Sequence, residues 1–346
     1  MLDRVGVTLP FGGVLLLDQE PLLARLIEAG FRDFGTGELN RVDAVTPLAL
    51  LAGAHPGNLT LSTYVANVFT RGPGLLAMNA AALAEIAPGR ARFGLGAGSA
   101  LVAEQWNGQP FDRPFTRVRE SLRFLRAVLA GERSDGATTF SSSGFRLEQP
   151  PAAPPKLVLA ALGPRMQRLA AREADGVVLN FVAPRDVALV RSLHQEVDRV
   201  MADPLETIGR VFVVCVGDET RARQLARRRI AAYLTVPVYA EFQRWLGRGA
   251  SLEAMWDRWS AGDRRGALEA VPEELIDEWF LFGDPAECAG SIRDFLDSGL
   301  DMVAMTPLGI DDAATAEEAT DFLVELAQAC RTSGPPGHEG DGREVG

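Results

Sequence analysis

The chain alternates, almost from end to end, between short apolar, largely β-branched runs and longer stretches with apolar residues at helical spacing. The runs are Arg4–Thr8, Phe31–Gly35, Leu59–Val65, Arg92–Ala97, Leu157–Ala161, Gly176–Leu179, Val211–Val216 and Met302–Thr306. Runs that are apolar on both faces belong to a buried parallel sheet rather than to an antiparallel one with a wet side. Helical spacing fills most gaps: Asp18–Ala29, Gly74–Ala87, Phe115–Ala130, Arg165–Glu173, Arg185–Met201, Glu219–Leu234 and Pro285–Ser298. Eight strand–helix cycles predict an α/β fold closed into a (β/α)8 TIM barrel, with an open doubly wound sheet as the alternative. A length of 346 residues suits a barrel with insertions.

Two segments interrupt the rhythm. Ser134–Pro155 contains SSSG and closely spaced prolines, which fit neither helices nor central strands, so it reads as a long loop before strand five. Tyr239–Phe282 is a helical insertion after strand seven that holds Trp245, Trp256, Trp259 and Trp279. These are read as packing for a helical subdomain, on the side of the barrel where they could also wall a pocket. Residues 1–330 are expected to form one barrel domain, and 331–346, rich in glycine, proline and charge, a disordered tail.

A net charge of −11 opposes phosphate backbones and argues against nucleic-acid binding. No apolar run approaches a membrane span, and the N-terminus lacks the pattern of a signal peptide. Cys215, Cys288 and Cys330 are far apart and form no CxxC pair, so they read as core thiols in a cytoplasmic protein.

Barrel chemistry sits just past the C-terminal strand ends. There the sequence places Thr36, Gly37 and Glu38 after strand two, with Tyr64, Val65, Asn67 and Arg71 at strand three. Gly98, Ser99 and Glu104 follow strand four, Gly163 and Arg165 strand five, Asn180 strand six, Asp218 strand seven and Pro307 strand eight. The histidines, His55, His194 and His338, fall outside this roster, and no metal-ligand spacing or nucleophile elbow is present. A mouth with few reactive side chains suits a cofactor that carries the reaction itself. Gly94–Ser99, GLGAGS, lacks the third glycine and acidic strand end of a dinucleotide fingerprint. ALGPRM, Ala161–Met166, joins a strand to a helix whose first N–H groups, with the Arg165 side chain, could hold a phosphate; an ordinary turn is the alternative.

Taken together, LTLSTYVANVFTRGP, RARFGLGAGS with the FTRVRESLRFLRAVLAGE helix, PKLVLAALGPRMQRLAAREADGVVLN and FGDPAECAGSIRDFLDSGLDMVAMTPLG resemble, in order, segments of the luciferase-like monooxygenase superfamily. The resemblance is to the members that use the deazaflavin coenzyme F-420 (F420, 8-hydroxy-5-deazaflavin), and it spans roughly residues 1–330. It implies a cofactor phosphate near Gly163, Pro164, Arg165 and Met166. It also implies a strand-three bulge with a cis Tyr64–Val65 peptide behind the ring, and contacts from Thr63, Asn67, Gly98, Ser99 and Asn180. Many members carry a histidine after the strand-two acid, where this chain has Leu39. The sugar-phosphate dehydrogenases carry a glutamate at the position of Ser99. Both departures argue against a sugar phosphate as substrate and leave Glu38 and Glu104 as the catalytic carboxylates for proton transfer.

The expected activity is hydride transfer between F420 and a small organic substrate. An FMN-dependent luciferase-like monooxygenase is the first alternative, and a non-catalytic cofactor-binding barrel the second. A homodimer is the assembly the resemblance implies.

Overall fold

The computed structural model describes residues 1–332. Eight parallel strands make the barrel: β1 Val5–Leu9, β2 Asp33–Thr36, β3 Thr60–Thr63, β4 Ala91–Gly96, β5 Lys156–Ala160, β6 Gly176–Asn180, β7 Glu206–Val214 and β8 Met302–Leu308. Each pairs with the next, and β8 pairs with both β7 (Met302 opposite Ile208) and β1 (Val303 opposite Val5). That double pairing closes the cylinder and excludes the open sheet.

The side-chain period of two then sorts the interior. Ile208 of β7 packs in the lumen with Tyr64, Val158, Val178, Met302 and Ala304. On the same strand face, Glu206 lies one layer below and Arg210 one layer above. Val211 and Val213 face outward into the shell between strands and helices. The lumen floor is ionic. Arg92 Nη2 lies 2.6 Å from Glu206 Oε1, its Nη1 pairs with Asp33, and Lys156 Nζ is 3.4 Å from Glu206. Burial raises the Asp33 pKa despite Arg92; in Glu206 the Arg92 hydrogen bond and charge outweigh burial and lower it.

Strand seven is where expectation and structure differ most. The apolar run suggested Val211–Val216, but the strand starts at Glu206, because its lumen-facing positions at this end are charged. Helices depart from expectation systematically. α3 (Pro73–Ile86), α4 (Pro114–Leu129), α5 (Pro164–Glu173) and α6 (Pro184–Gln195) each begin on a proline that the sequence reading left outside. Proline fits the first helical turn, where its missing N–H would have had no partner. α1 (Glu20–Glu28) and α7 (Glu219–Leu234) stand where expected; α2 (Thr46–Ala54) was not anticipated.

The insertion consists of α8 (Pro237–Trp245), α9 (Gly249–Ser260), α10 (Arg264–Glu269) and α11 (Glu273–Trp279). Phe280–Leu281 then pairs with Phe212–Val213 of β7. All four tryptophans pack, as expected. Trp279 is buried against Phe181, Trp245 stacks on Phe242, Trp256 Nε1 donates to the Leu234 carbonyl at 2.8 Å, and Arg264 lies over Trp259. Buried Arg248 ties the insertion to α6 through Asp186 at 2.7 Å.

α12 (Pro285–Asp297) opens on a reciprocal capping box between Asp284 and Glu287. α13 (Ala313–Thr332), also unanticipated, carries the helix through Arg331 and Thr332, where the tail was expected to begin. Residues 333–346, with His338, lie outside the described residues. The three cysteines are buried and unpaired. Among the described residues no helix is long and apolar enough to cross a membrane.

Candidate active site

The C-terminal mouth of the barrel has two walls. On one, the chain breaks after Thr63 at a cis Tyr64–Val65 bond, the position expected, and resumes as Ala66–Asn67 beside Leu95–Gly96 of β4. Thr63 bridges the break: its hydroxyl accepts from Gly94 N at 2.7 Å and donates to Gly94 O at 3.0 Å. Both neighbouring side chains enter the lumen, Tyr64 over Gly35 of β2 and Val65 over Gly94 and Gly96 of β4. Tyr64 drops into the lumen, its hydroxyl 3.5 Å from Asp33 Oδ1, so its ring belongs to the barrel core and not to the mouth. Val65 lies over Gly94 and Gly96, where added Cβ atoms would stand 2.8 and 2.5 Å from its methyls. Gly96 therefore makes room for Val65, and Gly94 for Val65 and the Thr63 carbonyl.

Asn67 is buried, accepts from Phe69 N at 2.8 Å and donates its own N–H to Glu38 Oε2 at 3.2 Å. Glu38 is also ion-paired to Arg71. Gly98 has a positive φ of 65°, and the Asn67 amide occupies the space its side chain would need. Ser99 starts a π-helical turn, Leu101–Trp106, and its Oγ lies 3.5 Å from Val102 N. Glu104 on that turn is exposed and accepts from Phe111 N at 3.1 Å. The two candidate carboxylates thus occupy different settings, Glu38 within the wall and Glu104 on the outer loop.

The same wall continues to the α5 N-terminus. Gly163 is the extended residue before Pro164, and nothing lies within 4 Å of where its Cβ would be. Met166 N turns back to Gly163 O at 3.0 Å. Arg165 is exposed with its guanidinium 3.8 Å from the Phe115 ring centre, and Arg119 approaches the same ring, its Nε buried without a partner. An open cradle, an unblocked helix terminus and two cations make a setting that fits a phosphate.

The facing wall was not foreseen. Arg210 of β7 donates through Nε to Thr306 Oγ1 at 3.1 Å and through Nη1 to the Tyr233 hydroxyl at 3.3 Å; Thr8 Oγ1 reaches Thr306 at 3.1 Å. Arg229 also hydrogen-bonds Tyr233. Asn180 donates to the Tyr239 hydroxyl at 3.1 Å, leaving the other end of its buried amide without a partner. A strand read five residues late hid Arg210 as pre-strand; its alternation with Ile208 was the available signal. Of the histidines, His55 caps α2 3.1 Å from Glu20, and His194 pairs with Gln167 at 2.8 Å, both away from the mouth.

A closed parallel barrel whose mouth has few reactive side chains and a wall ending in an open helix N-terminus suits an oxidoreductase that takes its chemistry from a phosphate-bearing coenzyme. The chain belongs to the luciferase-like monooxygenase family, whose model matches residues 17–302. Over 290 residues it is 28% identical to the 5,10-methylenetetrahydromethanopterin reductase of Archaeoglobus fulgidus, covering 80% of this chain and 85% of the relative. It is 26% identical to the F420-dependent glucose-6-phosphate dehydrogenase of Rhodococcus hoagii over 273 residues, 75% of this chain and 76% of that one. The solved structure of the coenzyme F420 dependent tetrahydromethanopterin reductase from Methanopyrus kandleri superposes with a TM-score of 0.71 at 21% identity, covering 95% of this chain and 98% of that one.

Proposed function

We propose that the protein is an F420-dependent oxidoreductase that moves a hydride to or from a small organic substrate. The observation that carries this is the single continuous wall formed by Ala66–Asn67, the Gly94–Gly96 platform and the Gly163–Arg165 helix terminus. The relatives named as reductases and dehydrogenases support it, and they speak against a barrel that only stores a cofactor. When bound, F420 supplies two-electron hydride chemistry at a ring carbon and couples poorly to oxygen.

The chain's own residues hold and orient. Val65 and the backbone of Gly98 and Ser99 back the ring; Gly163, Arg165 and Met166 hold the phosphate; Asn67 offers hydrogen bonds at the ring edge, and Asn180 stands across the mouth on the facing wall. Glu38, fixed by Arg71, positions Asn67 and is the carboxylate nearer the ring wall. Glu104 anchors the outer loop.

Titrating purified protein with F420 tests the assignment. Saturable quenching of deazaflavin fluorescence is the expected result. Tight FMN binding with no deazaflavin response would replace it with the FMN-dependent monooxygenase.

We further propose a homodimer built on α2 and α3. Leu50, Leu75, Met78 and Ile86 on these helices are 39, 46, 51 and 37% exposed, an apolar face unusual for solvent. Light scattering should give twice the chain mass, and Met78→Glu should shift it toward one. The buried, unpaired cysteines fit a reducing, cytoplasmic setting.

A further inference from the structure

Arg210 and Arg229 stand at the mouth on the wall opposite the proposed ring site, and neither has an ion-pair partner among the described residues. Both converge on one acceptor, the Tyr233 hydroxyl. Both also lie over the Phe212 ring, at 5.5 and 5.8 Å. The two cations therefore sit among Phe181, Phe212, Tyr233 and Tyr239, apolar bodies that screen charge poorly. Three sequestered arginines pair with carboxylates, Arg92 with Asp33 and Glu206, Arg248 with Asp186 and Glu278, Arg71 with Glu38, and Arg117 and Arg199 donate to backbone carbonyls, whereas Arg210 and Arg229 share a phenol. Two half-buried guanidiniums without a counter-charge repel each other and lose hydration, and an anion arriving between them would relieve both costs.

We infer that Arg210 and Arg229 form a subsite for an anionic group of the substrate, a carboxylate or a phosphate, with the aromatic wall covering the substrate's apolar body. The assignment rests on the hydride-transfer role proposed above, because it places substrate across the mouth from the ring. The surroundings respond as a positive site should. Burial pushes the Tyr233 phenol up, but the charges and hydrogen bonds of the two arginines outweigh it and hold its pKa below the ordinary tyrosine value. Burial lowers that of Arg229. The free end of the Asn180 amide, on the neighbouring strand, is its carbonyl oxygen, which can accept from a hydroxyl or amine of the substrate body but not from the anion itself.

Calorimetric titration of the full-length protein, loaded with F420, tests the subsite with three probes: benzoate, phenyl phosphate and the neutral benzamide. Saturable binding of benzoate or phenyl phosphate, with benzamide at least about tenfold weaker, is expected, and the stronger anion identifies the class. Arg210→Gln and Arg229→Gln should each weaken the anion at least about tenfold, with Arg210→Lys recovering part of the loss. The tyrosinate absorbance titration should shift to higher pH in both Gln variants, and Tyr233→Phe should remove that transition. F420 affinity, read by fluorescence, should stay as in the parent in every variant. An F420-loaded parent that binds neither anion, or binds benzamide as well, overturns the subsite and leaves the coenzyme assignment standing. So does a correctly folded Arg210→Gln with undiminished anion binding. Loss of F420 binding by the parent overturns the coenzyme assignment instead.

Discussion

Val65 occupies the volume that a side chain on Gly96 would claim: a Cβ there would stand 2.5 Å from a Val65 methyl. Gly96→Ala should therefore cost about 1–3 kcal/mol, the usual range for overpacking a filled site. Adding Val65→Ala should recover most of it, because the methyls that collide are then gone. Urea unfolding of the two single variants and the double variant measures the coupling; additive losses would show that the two positions do not compete for space.

Arg92 is the hub of the lumen floor, paired to Asp33 and Glu206 with all three side chains no more than 16% exposed. Replacing it with Met leaves two sequestered carboxylates facing each other. A destabilisation of about 3–5 kcal/mol is expected, the cost of breaking a buried pair from one side. A loss under about 1 kcal/mol in denaturant unfolding would place the floor among surface-like pairs.

The loop from Ser134 to Phe145 is moored on α4 by Glu120, which accepts from the N–H and hydroxyl groups of Thr138 and Thr139. Burial raises the Glu120 pKa, but the Thr139 and Thr138 hydrogen bonds win and take it down to about 2, from a reference of 4.5. The folded value lies below the unfolded one, so this mooring is fully present above 4.5 and is lost as pH falls toward 2. Proteolytic cutting of the loop should rise across that interval. Glu120→Gln should cut faster at neutral pH and show a flatter dependence; an identical acid profile would remove Glu120 from the account.

Arg165 projects from the α5 terminus with its guanidinium on Phe115. Arg165→Ala should weaken F420 by roughly tenfold or more, the worth of one charge-assisted hydrogen bond to phosphate. The fluorescence titration reads this directly, and unchanged affinity would shift the phosphate role elsewhere, Arg119 being the neighbouring cation.

The barrel was legible because buried parallel strands advertise themselves as apolar runs, and each of the eight runs overlaps an observed strand. Strand seven shows the limit. Glu206 and Arg210 face a lumen whose floor and mouth are polar, so half of that strand carries no apolar signal. The same limit hid the Arg210–Tyr233 wall, because Arg210 fell outside the expected strand. α2 escaped notice because it is apolar all round and so shows no helical stripe, whereas α13 does carry one, in Ala316, Ala319, Leu323, Leu326 and Ala327. The cis bond at Tyr64–Val65 came from family resemblance, yet the packing of Tyr64 over Gly35 and of Val65 over Gly96 came only from the structure. The carboxylates illustrate a different gap: sequence placed Glu38 and Glu104 near the mouth, but only coordinates show one clamped by Arg71 and the other turned to the outer loop.

Phe280–Leu281 stitches the end of the helical insertion onto the upper edge of β7, and Arg248 bolts the same insertion to α6. One side of the reaction chamber is thus encoded by residues 60–166, and the other by Asn180, Arg210, Arg229 and Tyr233, to which a contiguous cassette adds Tyr239. Exchanging residues 236–282 between related chains, with Phe212, Val213 and Asp186 kept, should therefore alter which molecules are accepted while the coenzyme partner stays the same. Such modularity gives evolution a place to vary chemistry's clientele without retooling its engine.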